Sequence, residues 1–281
     1  MVSVLDAPAM VLASPHSGDL YPHDLIAAAR LDRKALRQSE DCYIDDLFGA
    51  ATSLGIPMLK ARVARAYLDV NREPWELDPA MFDEALPDWV NTQSPRVTAG
   101  LGTVARIVAD GQPIYRRKLR FAEAQIRIES IYQPYHAALE QLVEDTVIRH
   151  GRCLLIDAHS MPSGEGSSGR FRRPPDFVLG DRNGTACHGD FTGAAHELLK
   201  SMGYSVTRNV PYAGGFTTCH YGRPELGRHC LQIEVNRALY MDERHYTCKP
   251  GYAKLREDLA SLLGRLAQIV PETMPSQAAA D

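Results

Sequence analysis

Two histidines lie where short apolar runs of the sequence end, and a histidine in that position can serve as a metal ligand. His16 follows the apolar residues 10–13, and His159 follows the run that begins at Cys153. A hydrolytic zinc site uses neutral imidazoles and a carboxylate as ligands and keeps one coordination position open for water. Either histidine alone could cap a strand or be a satisfied polar residue. Together, after two separate apolar runs, they indicate a metal-binding pair.

Two aspartates are candidates for the third ligand. Asp19 lies three residues after His16 in "SPHSGD", a spacing similar to the H-x-x-E of zinc carboxypeptidases. A helical turn that starts there would bring both side chains to one metal ion. Asp41 opens the amphipathic segment "DCYIDDLF", where a helix N-cap is its alternative role. On spacing alone, Asp19 is favoured.

Glu234 is a carboxylate inside the apolar stretch "LQIEVN". Burial disfavours the ionised form of a carboxylate and raises its pKa toward the range that a general base needs. Such a base can take a proton from a metal-bound water. A buried salt bridge with an arginine is the alternative role. We predict that Glu234 is the catalytic base.

Polar residues that could bind a substrate lie in two further stretches. Asn71 and Arg72 in "DVNREP" place an amide beside a guanidinium, which can hold a carboxylate through two hydrogen bonds. Arg65 could assist them, or form a surface ion pair instead. In "AGGFTTCHYG" two adjacent glycines let the backbone approach a ligand. His220 could then stabilise a developing oxyanion, unless the stretch is a plain turn.

The elements that must position these residues alternate along the chain. Strands are predicted at 10–13, 153–159, 204–210 and 229–236, with one or two more within 58–74. Helices are predicted at 41–55, 117–150 with a bend near Pro134, 192–203 and 251–270. In open α/β sheets, functional groups collect beyond the carboxyl ends of the strands. The candidate residues that follow predicted strands would therefore lie together at the edge of the sheet where the carboxyl ends of the strands meet.

The alternation predicts one α/β domain over residues 1–281. Its central sheet is expected to be mostly parallel or mixed, with helices on both faces. Residues 76–111 are expected to form a long irregular excursion on the surface, and the C-terminus is expected to fray.

Composition excludes several classes of partner. The formal net charge is −4, so nothing indicates binding to nucleic acid or to an anionic membrane. The six cysteines form no C-x-x-C pair, which fits a reducing, cytoplasmic location. No apolar run approaches the roughly 20 residues that a membrane span needs.

Two polar segments give no clear site. "GEGSSGR" lacks the G-K-[ST] ending of a phosphate-binding loop, and "RFRRPP" is either a solvated loop or a basic lid. The sequence makes no prediction of oligomeric state.

Six motifs, in order from about residue 13 to residue 243, resemble the N-formylglutamate amidohydrolase family. They are "SPHSGDLYP", "YLDVNREP", "LIDAHSMPS", "PDFVLGDRNGTAC", "GGFTTCHYG" and "QIEVNRALYMDE". The resemblance implies a zinc-dependent hydrolase with a carboxypeptidase-like or aminoacylase-like (phosphorylase/hydrolase-like) α/β fold. It also implies cleavage of N-formyl-L-glutamate to formate and L-glutamate, a step of histidine degradation.

The resemblance also implies roles for individual residues. It makes His16 and His159 metal ligands, Glu234 the general base, and Asn71 with Arg72 the site for the amino-acid carboxylate. Family members usually have T-D-W where this chain has Glu40-Asp41-Cys42, which favours Asp41 over Asp19 as third ligand. Cys42 and Phe216 depart from the family pattern, and both departures bear on acyl-group preference.

Three functions are compatible with these residues. The favoured one is a zinc-dependent amidohydrolase, in which another divalent metal could replace zinc, acting on a small acidic N-acyl amino acid. A related N-acyl amino acid deacylase or carboxypeptidase-like hydrolase would keep the metal and base residues and accept another acyl substrate. A non-catalytic protein that binds a metal or a carboxylate is the third, and it would be insensitive to Glu234→Gln.

Overall fold

The computed structural model describes residues 7–108, 111–164 and 174–269. Most of "GEGSSGR" and of "RFRRPP" lies outside the described residues. The contacts of the described residues fall into two compact units: a first unit from 1–13, 44–58 and 142–281, and a second unit from 14–43 and 59–141. The single domain expected from the sequence stays a prediction.

The central sheet is mixed, as predicted. Its strands are β1 (Met10–Ser14), β2 (Met58–Lys60), β3 (Cys153–Met161), β4 (Phe177–Gly180), β5 (Val206–Arg208) and β6 (Arg228–Asn236), in the order β2-β1-β3-β6-β4-β5. β3 pairs in parallel with both β1 and β6, β4 is antiparallel to β6, and β5 is parallel to β4. Two short strands, β7 (Met241–Asp242) and β8 (Thr247–Cys248), form a separate antiparallel pair.

Three strands of the central sheet are buried along their whole length. Every residue of β1, β3 and β4 is buried, which is the pattern of strands covered on both faces. β3 continues to Met161, beyond its predicted end, so His159 lies inside the strand and not at its end. β6 begins at Arg228, just before its predicted start, and Glu234 lies inside it as the sequence predicts.

Ten α-helices lie within the described residues. They are α1 (His23–Ala28), α2 (Arg33–Leu36), α3 (Ile44–Leu47), α4 (Ala50–Ser53), α5 (Pro95–Thr98), α6 (Phe121–Arg127), α7 (Gln133–His150), α8 (Gly189–Ser201), α9 (Phe216–Tyr221) and α10 (Gly251–Ile269). None is both long and apolar enough to span a membrane.

The helices of the first unit pack through apolar faces. α10 contacts α8, α3 and α4, and α9 contacts β3 and β6. The face of α10 that is buried carries five leucines, Leu255, Leu259, Leu262, Leu263 and Leu266, at the spacing of an amphipathic helix. The helix predicted at 41–55 is interrupted between Leu47 and Ala50, although Ile44, Leu47, Phe48 and Ala51 are buried as its periodicity indicates.

Two expectations about the second unit are wrong. The strands predicted within 58–74 reduce to β2, and the residues after Lys60 form turns. The stretch 76–111 is irregular, but it is not a surface excursion, because Leu77, Phe82, Val97 and Val104 are buried. Apolar side chains can be buried without regular structure where turns satisfy the backbone polar groups.

The long helical stretch begins at Phe121, where the sequence placed its start near Arg117. The Glu123 side chain accepts a hydrogen bond from the Arg120 backbone N–H at 2.9 Å, which completes the first turn. A π-helical segment, Ile128–Tyr132, separates α6 from α7. It lies just before Pro134, whose missing N–H removes one α-helical hydrogen bond.

His229 of β6 generates a prediction about stability. Burial, with smaller effects of His188 and Arg152, lowers the pKa of His229 from 6.5 to about 4. The unfolded chain therefore binds a proton between pH 6.5 and pH 4 that the folded chain does not. Stability falls as the pH falls through this window, by about 2 kcal/mol between pH 7 and pH 5.

We expect His229→Asn to remove this contribution, because asparagine does not titrate and its oxygen can accept the His188 backbone N–H that His229 Nδ1 accepts at 3.3 Å. Urea unfolding of both proteins at pH 7 and pH 5 measures the difference. An equal loss of unfolding free energy in both proteins would contradict the assignment to His229.

Candidate metal centre

β3 and β6 present four polar side chains on one face of the sheet. In the parallel register, Asp157 lies opposite Gln232 and His159 lies opposite Glu234. Residues two apart on a strand point to the same face, so the four side chains are neighbours. All four are buried. A buried face of this polarity is costly unless its members satisfy one another.

His159 is held by the aspartate on its own strand. Its Nε2 lies 3.0 Å from Asp157 Oδ1, and the Thr218 hydroxyl donates to Asp157 Oδ2 at 3.3 Å. When a carboxylate accepts the proton of one ring nitrogen, the other nitrogen is the one that can bind a metal ion. The pair therefore directs Nδ1 of His159 toward that role.

His16 has the same arrangement in the second unit. Its Nε2 lies 2.7 Å from Asp69 Oδ1, and its Nδ1 lies 3.4 Å from Asp41 Oδ2. The Asp41 backbone N–H also donates to the His16 carbonyl at 2.9 Å. This hydrogen bond brings a residue 25 positions later in the chain to the imidazole, so the carboxylate of Asp41 faces Nδ1.

His16, Asp41 and His159 form a buried group whose potential ligand atoms lie within 4.8 Å of one another. Ala13 of β1 pairs with Asp157 of β3, and His16 and His159 follow these two residues closely along the chain. Two imidazoles and a carboxylate are a donor set that suits zinc and related divalent metals. The group could hold a metal ion.

The structure separates the two candidates for the third ligand. Asp41 is buried beside His16, whereas Asp19 is exposed and its backbone carbonyl accepts a hydrogen bond from Arg33. Asp19 could reach the same metal ion as His16 only if a helical turn followed His16. The first helix begins only at His23. Asp41 is also not an N-cap, since α3 begins at Ile44.

Asp69 joins His16 to the predicted substrate-binding residues. Its Oδ1 accepts from His16 and from the Asn71 backbone N–H at 2.8 Å, and its Oδ2 accepts from Arg65 Nε at 2.8 Å. Arg72 Nη2 lies 3.4 Å from Oδ2. Burial alone would raise the pKa of Asp69, but Arg65, Arg72 and His16 outweigh it and hold that pKa well below its usual value.

Arg72 is buried, in a turn and not after a strand. Its Nε donates to the Leu101 carbonyl and its Nη1 to the Asn71 carbonyl, both at 2.8 Å. Burial lowers the pKa of Arg72 to about 10, against the opposing effect of Asp69. The Tyr132 hydroxyl donates to the Arg72 carbonyl at 2.7 Å. The guanidinium is thus fixed by main-chain contacts, while Arg65 is one quarter exposed.

The remaining predicted residues are Glu234 and His220. Glu234 Oε1 accepts a hydrogen bond from the Gln232 side chain at 2.9 Å. His220 is exposed on α9, and its ring stacks on Phe216 with centroids 5.0 Å apart. Its role toward an oxyanion stays a prediction.

Three buried side chains, Asp69, Asp157 and Gln232, are not among the residues predicted from the sequence. Each stands two residues before a residue that was singled out, in "LDVN", "LIDAH" and "LQIE". On a strand this spacing means a shared face, so Asp157 and Gln232 could have been found. Asp69 lies in a turn, and only the contacts of the folded chain identify it.

Comparison with known proteins gives one consistent family. The family model described as N-formylglutamate amidohydrolase matches residues 9–241. A protein of Pseudomonas aeruginosa named N-formylglutamate deformylase is 29% identical over 90% of this chain and 92% of its own length. One of the same name from Pseudomonas putida is 26% identical, with the same coverage.

Two solved structures are similar to this chain. The crystal structure of N-formylglutamate amidohydrolase from Ralstonia eutropha has a TM-score of 0.89 and 38% identity, and the match covers 94% of this chain and 95% of that one. A gene product of Agrobacterium tumefaciens has a TM-score of 0.57 at 17% identity, covering 96% and 94% of the two chains, which shows a shared fold alone.

The two aspartates give a direct test of the metal centre. We expect Asp41→Ala to abolish stoichiometric binding of Co²⁺ or Zn²⁺, because one of three protein ligands is lost. Asp19→Ala should bind one ion per chain, as the unaltered protein does. Equilibrium dialysis with elemental analysis measures both. Binding of one ion per chain by Asp41→Ala, together with loss of binding in Asp19→Ala, would identify Asp19 as the third ligand.

Asp69 gives a second test. We expect Asp69→Asn to weaken metal binding by about 10- to 100-fold, since the amide orients the His16 ring less well than a carboxylate does. Asp78→Asn is a matched control, because Asp78 pairs with Arg106 at 2.6 Å in the same unit. A competition titration with a chromophoric chelator measures the affinities. Equal affinities in the two variants would refute the positioning of His16 by Asp69.

Proposed function

Because the chain belongs to the N-formylglutamate amidohydrolase family, we propose that it hydrolyses N-formyl-L-glutamate to formate and L-glutamate. This reaction is a step of histidine degradation. The observation that carries the proposal is the buried His16–Asp41–His159 group, which could hold the metal ion of a hydrolytic centre. The two exposed free thiols, Cys219 and Cys248, support a cytoplasmic location.

His16, Asp41 and His159 are the residues that would hold Zn²⁺. Their fit rests on the donor set and on the carboxylate behind each imidazole, Asp69 for His16 and Asp157 for His159. Three protein ligands leave a coordination position open, as catalytic zinc sites require. Bound zinc lowers the pKa of a coordinated water and polarises a carbonyl oxygen.

Glu234 serves as the general base and then as the general acid. Its carboxylate takes a proton from the attacking water as the water oxygen bonds to the formyl carbon. The same proton goes to the amide nitrogen as the C–N bond breaks. Formic acid and the free amine of glutamate are released, and Glu234 is again ionised. The proton of formic acid then passes through water to the amine, which gives formate and the ammonium form of L-glutamate. Proton transfer by a positioned group contributes about 10²- to 10⁴-fold to rate.

Arg72 and Asn71 bind the α-carboxylate, with Arg65 available for the side-chain carboxylate. A carboxylate is suited to this region because two guanidinium groups come together here: Arg65 Nε lies 2.8 Å and Arg72 Nη2 lies 3.4 Å from the same Asp69 oxygen. Guanidinium groups bind carboxylates through paired, charge-assisted hydrogen bonds. His220 is assigned to the developing oxyanion.

Formate release is the decisive assay. We expect purified protein to release formate from N-formyl-L-glutamate, to lose this activity on treatment with a chelator, and to regain it with Zn²⁺. The N-acetyl and N-succinyl analogues form the comparison series. Faster release of acetate or succinate would assign the N-acetyl or N-succinyl analogue as the preferred substrate. Zinc binding without turnover of any analogue would favour a non-catalytic protein.

Glu234→Gln separates catalysis from metal binding. We expect kcat to fall by about 10²- to 10⁴-fold because an amide cannot accept the proton of water. The metal content should stay at one ion per chain. Unchanged kcat in this variant would overturn the assignment of Glu234 as base.

A further inference from the structure

Gln232 is a buried amide that faces the proposed catalytic base. It stands on β6 two residues before Glu234 and opposite Asp157 of β3. Its Oε1 accepts from the Gly215 backbone N–H at 2.7 Å, and its Nε2 donates to Glu234 Oε1 at 2.9 Å. The Thr218 hydroxyl lies 3.4 Å from Oε1. All of these residues belong to the first unit.

The direction of these hydrogen bonds is fixed by the backbone. A backbone N–H can only donate, so the atom of Gln232 that faces Gly215 must be the oxygen. The nitrogen then faces Glu234, and Oε1 of Glu234 must accept. The opposite amide orientation would place two donors against each other at Gly215. The Gly215 backbone N–H therefore donates to Gln232, and the Gln232 amide donates in turn to the Glu234 carboxylate.

A glutamate side chain needs such a contact if it is to act as a base. Rotation about the last bond of glutamate is broad, because it joins an sp³ carbon to an sp² carbon. Proton transfer requires the carboxylate oxygen within hydrogen-bond distance of the water. A donor on one oxygen selects one rotation of the group and removes this freedom.

We propose that Gln232 is a positioning residue that holds the Glu234 carboxylate by Oε1 in one orientation for proton transfer. The inference rests on the proposed function for its catalytic consequence. It also gives the "GGFTT" stretch a role that its sequence did not indicate. The stretch supplies the backbone N–H that orients Gln232.

The backbone of this stretch is adapted to the contact. Gly214 has φ +124°, a conformation that L side chains rarely adopt, and a Cβ there would lie 2.8 Å from Thr218 Cγ2. Glycine at 214 thus lets the chain turn closely enough for Gly215 to reach Gln232. Thr218, four residues further on, contacts both Gln232 and Asp157.

The test compares Gln232→Met with Thr207→Val in the zinc-loaded protein. Methionine has a similar length and cannot donate to Glu234. Thr207 of β5 donates to the Val210 carbonyl at 2.7 Å, so its valine variant loses a hydrogen bond at the far edge of the same sheet. We expect Gln232→Met to lower kcat by about 10- to 100-fold, with KM and zinc content unchanged. Thr207→Val should keep kcat within about twofold.

A double-mutant cycle distinguishes positioning from general stability. In the Glu234→Gln background, Gln232→Met should lower kcat no further, because the base it positions is absent. The same fold-loss in both backgrounds, or a loss in Gln232→Met that matches Thr207→Val, would overturn the proposal.

Crystal structures of the zinc-loaded protein and of Gln232→Met give a readout that is independent of activity. We expect one orientation of the Glu234 carboxylate in the unaltered protein and a rotated or divided one in the variant. An unchanged carboxylate would overturn the proposal. If the unaltered protein releases no formate, the proposed function fails, while this comparison still decides whether Gln232 positions Glu234.

Discussion

The parallel register of β3 with β6 is the constraint on which the candidate centre depends. It places His159 beside Glu234 and Asp157 beside Gln232, all on one buried face. A shift of one residue would turn each of these side chains to the opposite face. The pairing of β1 with β3 is parallel as well. The candidate metal ligand His159 and the proposed base Glu234 are thus positioned by the main-chain hydrogen bonds of β3 with β6.

Burial then decides which polar groups can be present. A buried ionised carboxylate is costly unless other groups hydrogen-bond to it or neutralise it. Asp157 contacts His159 and Thr218, and Asp69 contacts His16, Asn71 and Arg65. The carboxylates that orient the imidazoles are therefore themselves held in place. A rigid surrounding shell of this kind is what a metal centre needs to keep its geometry.

The sequence predicted the sheet residues of the centre better than those in turns. Apolar runs pointed to His159 and Glu234 inside strands and to His16 just after β1, because a strand has a fixed period. Spacing favoured Asp19, and only the family resemblance favoured Asp41, because a backbone hydrogen bond from Asp41 to the His16 carbonyl, which spacing does not reveal, brings Asp41 beside the imidazole. Asn71 and Arg72 were placed after a strand that does not form. Their position depends on long-range contacts, such as Leu101 with Arg72.

Asp69 links His16, a candidate metal ligand, to the two arginines that are proposed to bind the substrate. One of its oxygens accepts from the His16 ring, and the other faces the guanidinium groups of Arg65 and Arg72. When an anionic substrate draws on the same guanidinium groups, their attraction to Asp69 weakens, and the carboxylate interacts more strongly with His16. A more strongly polarised imidazole is a better metal ligand. Under the proposed function, substitution of Arg65 or Arg72 is therefore expected to change the metal affinity as well as KM, which a competition titration with a chelator and steady-state kinetics measure.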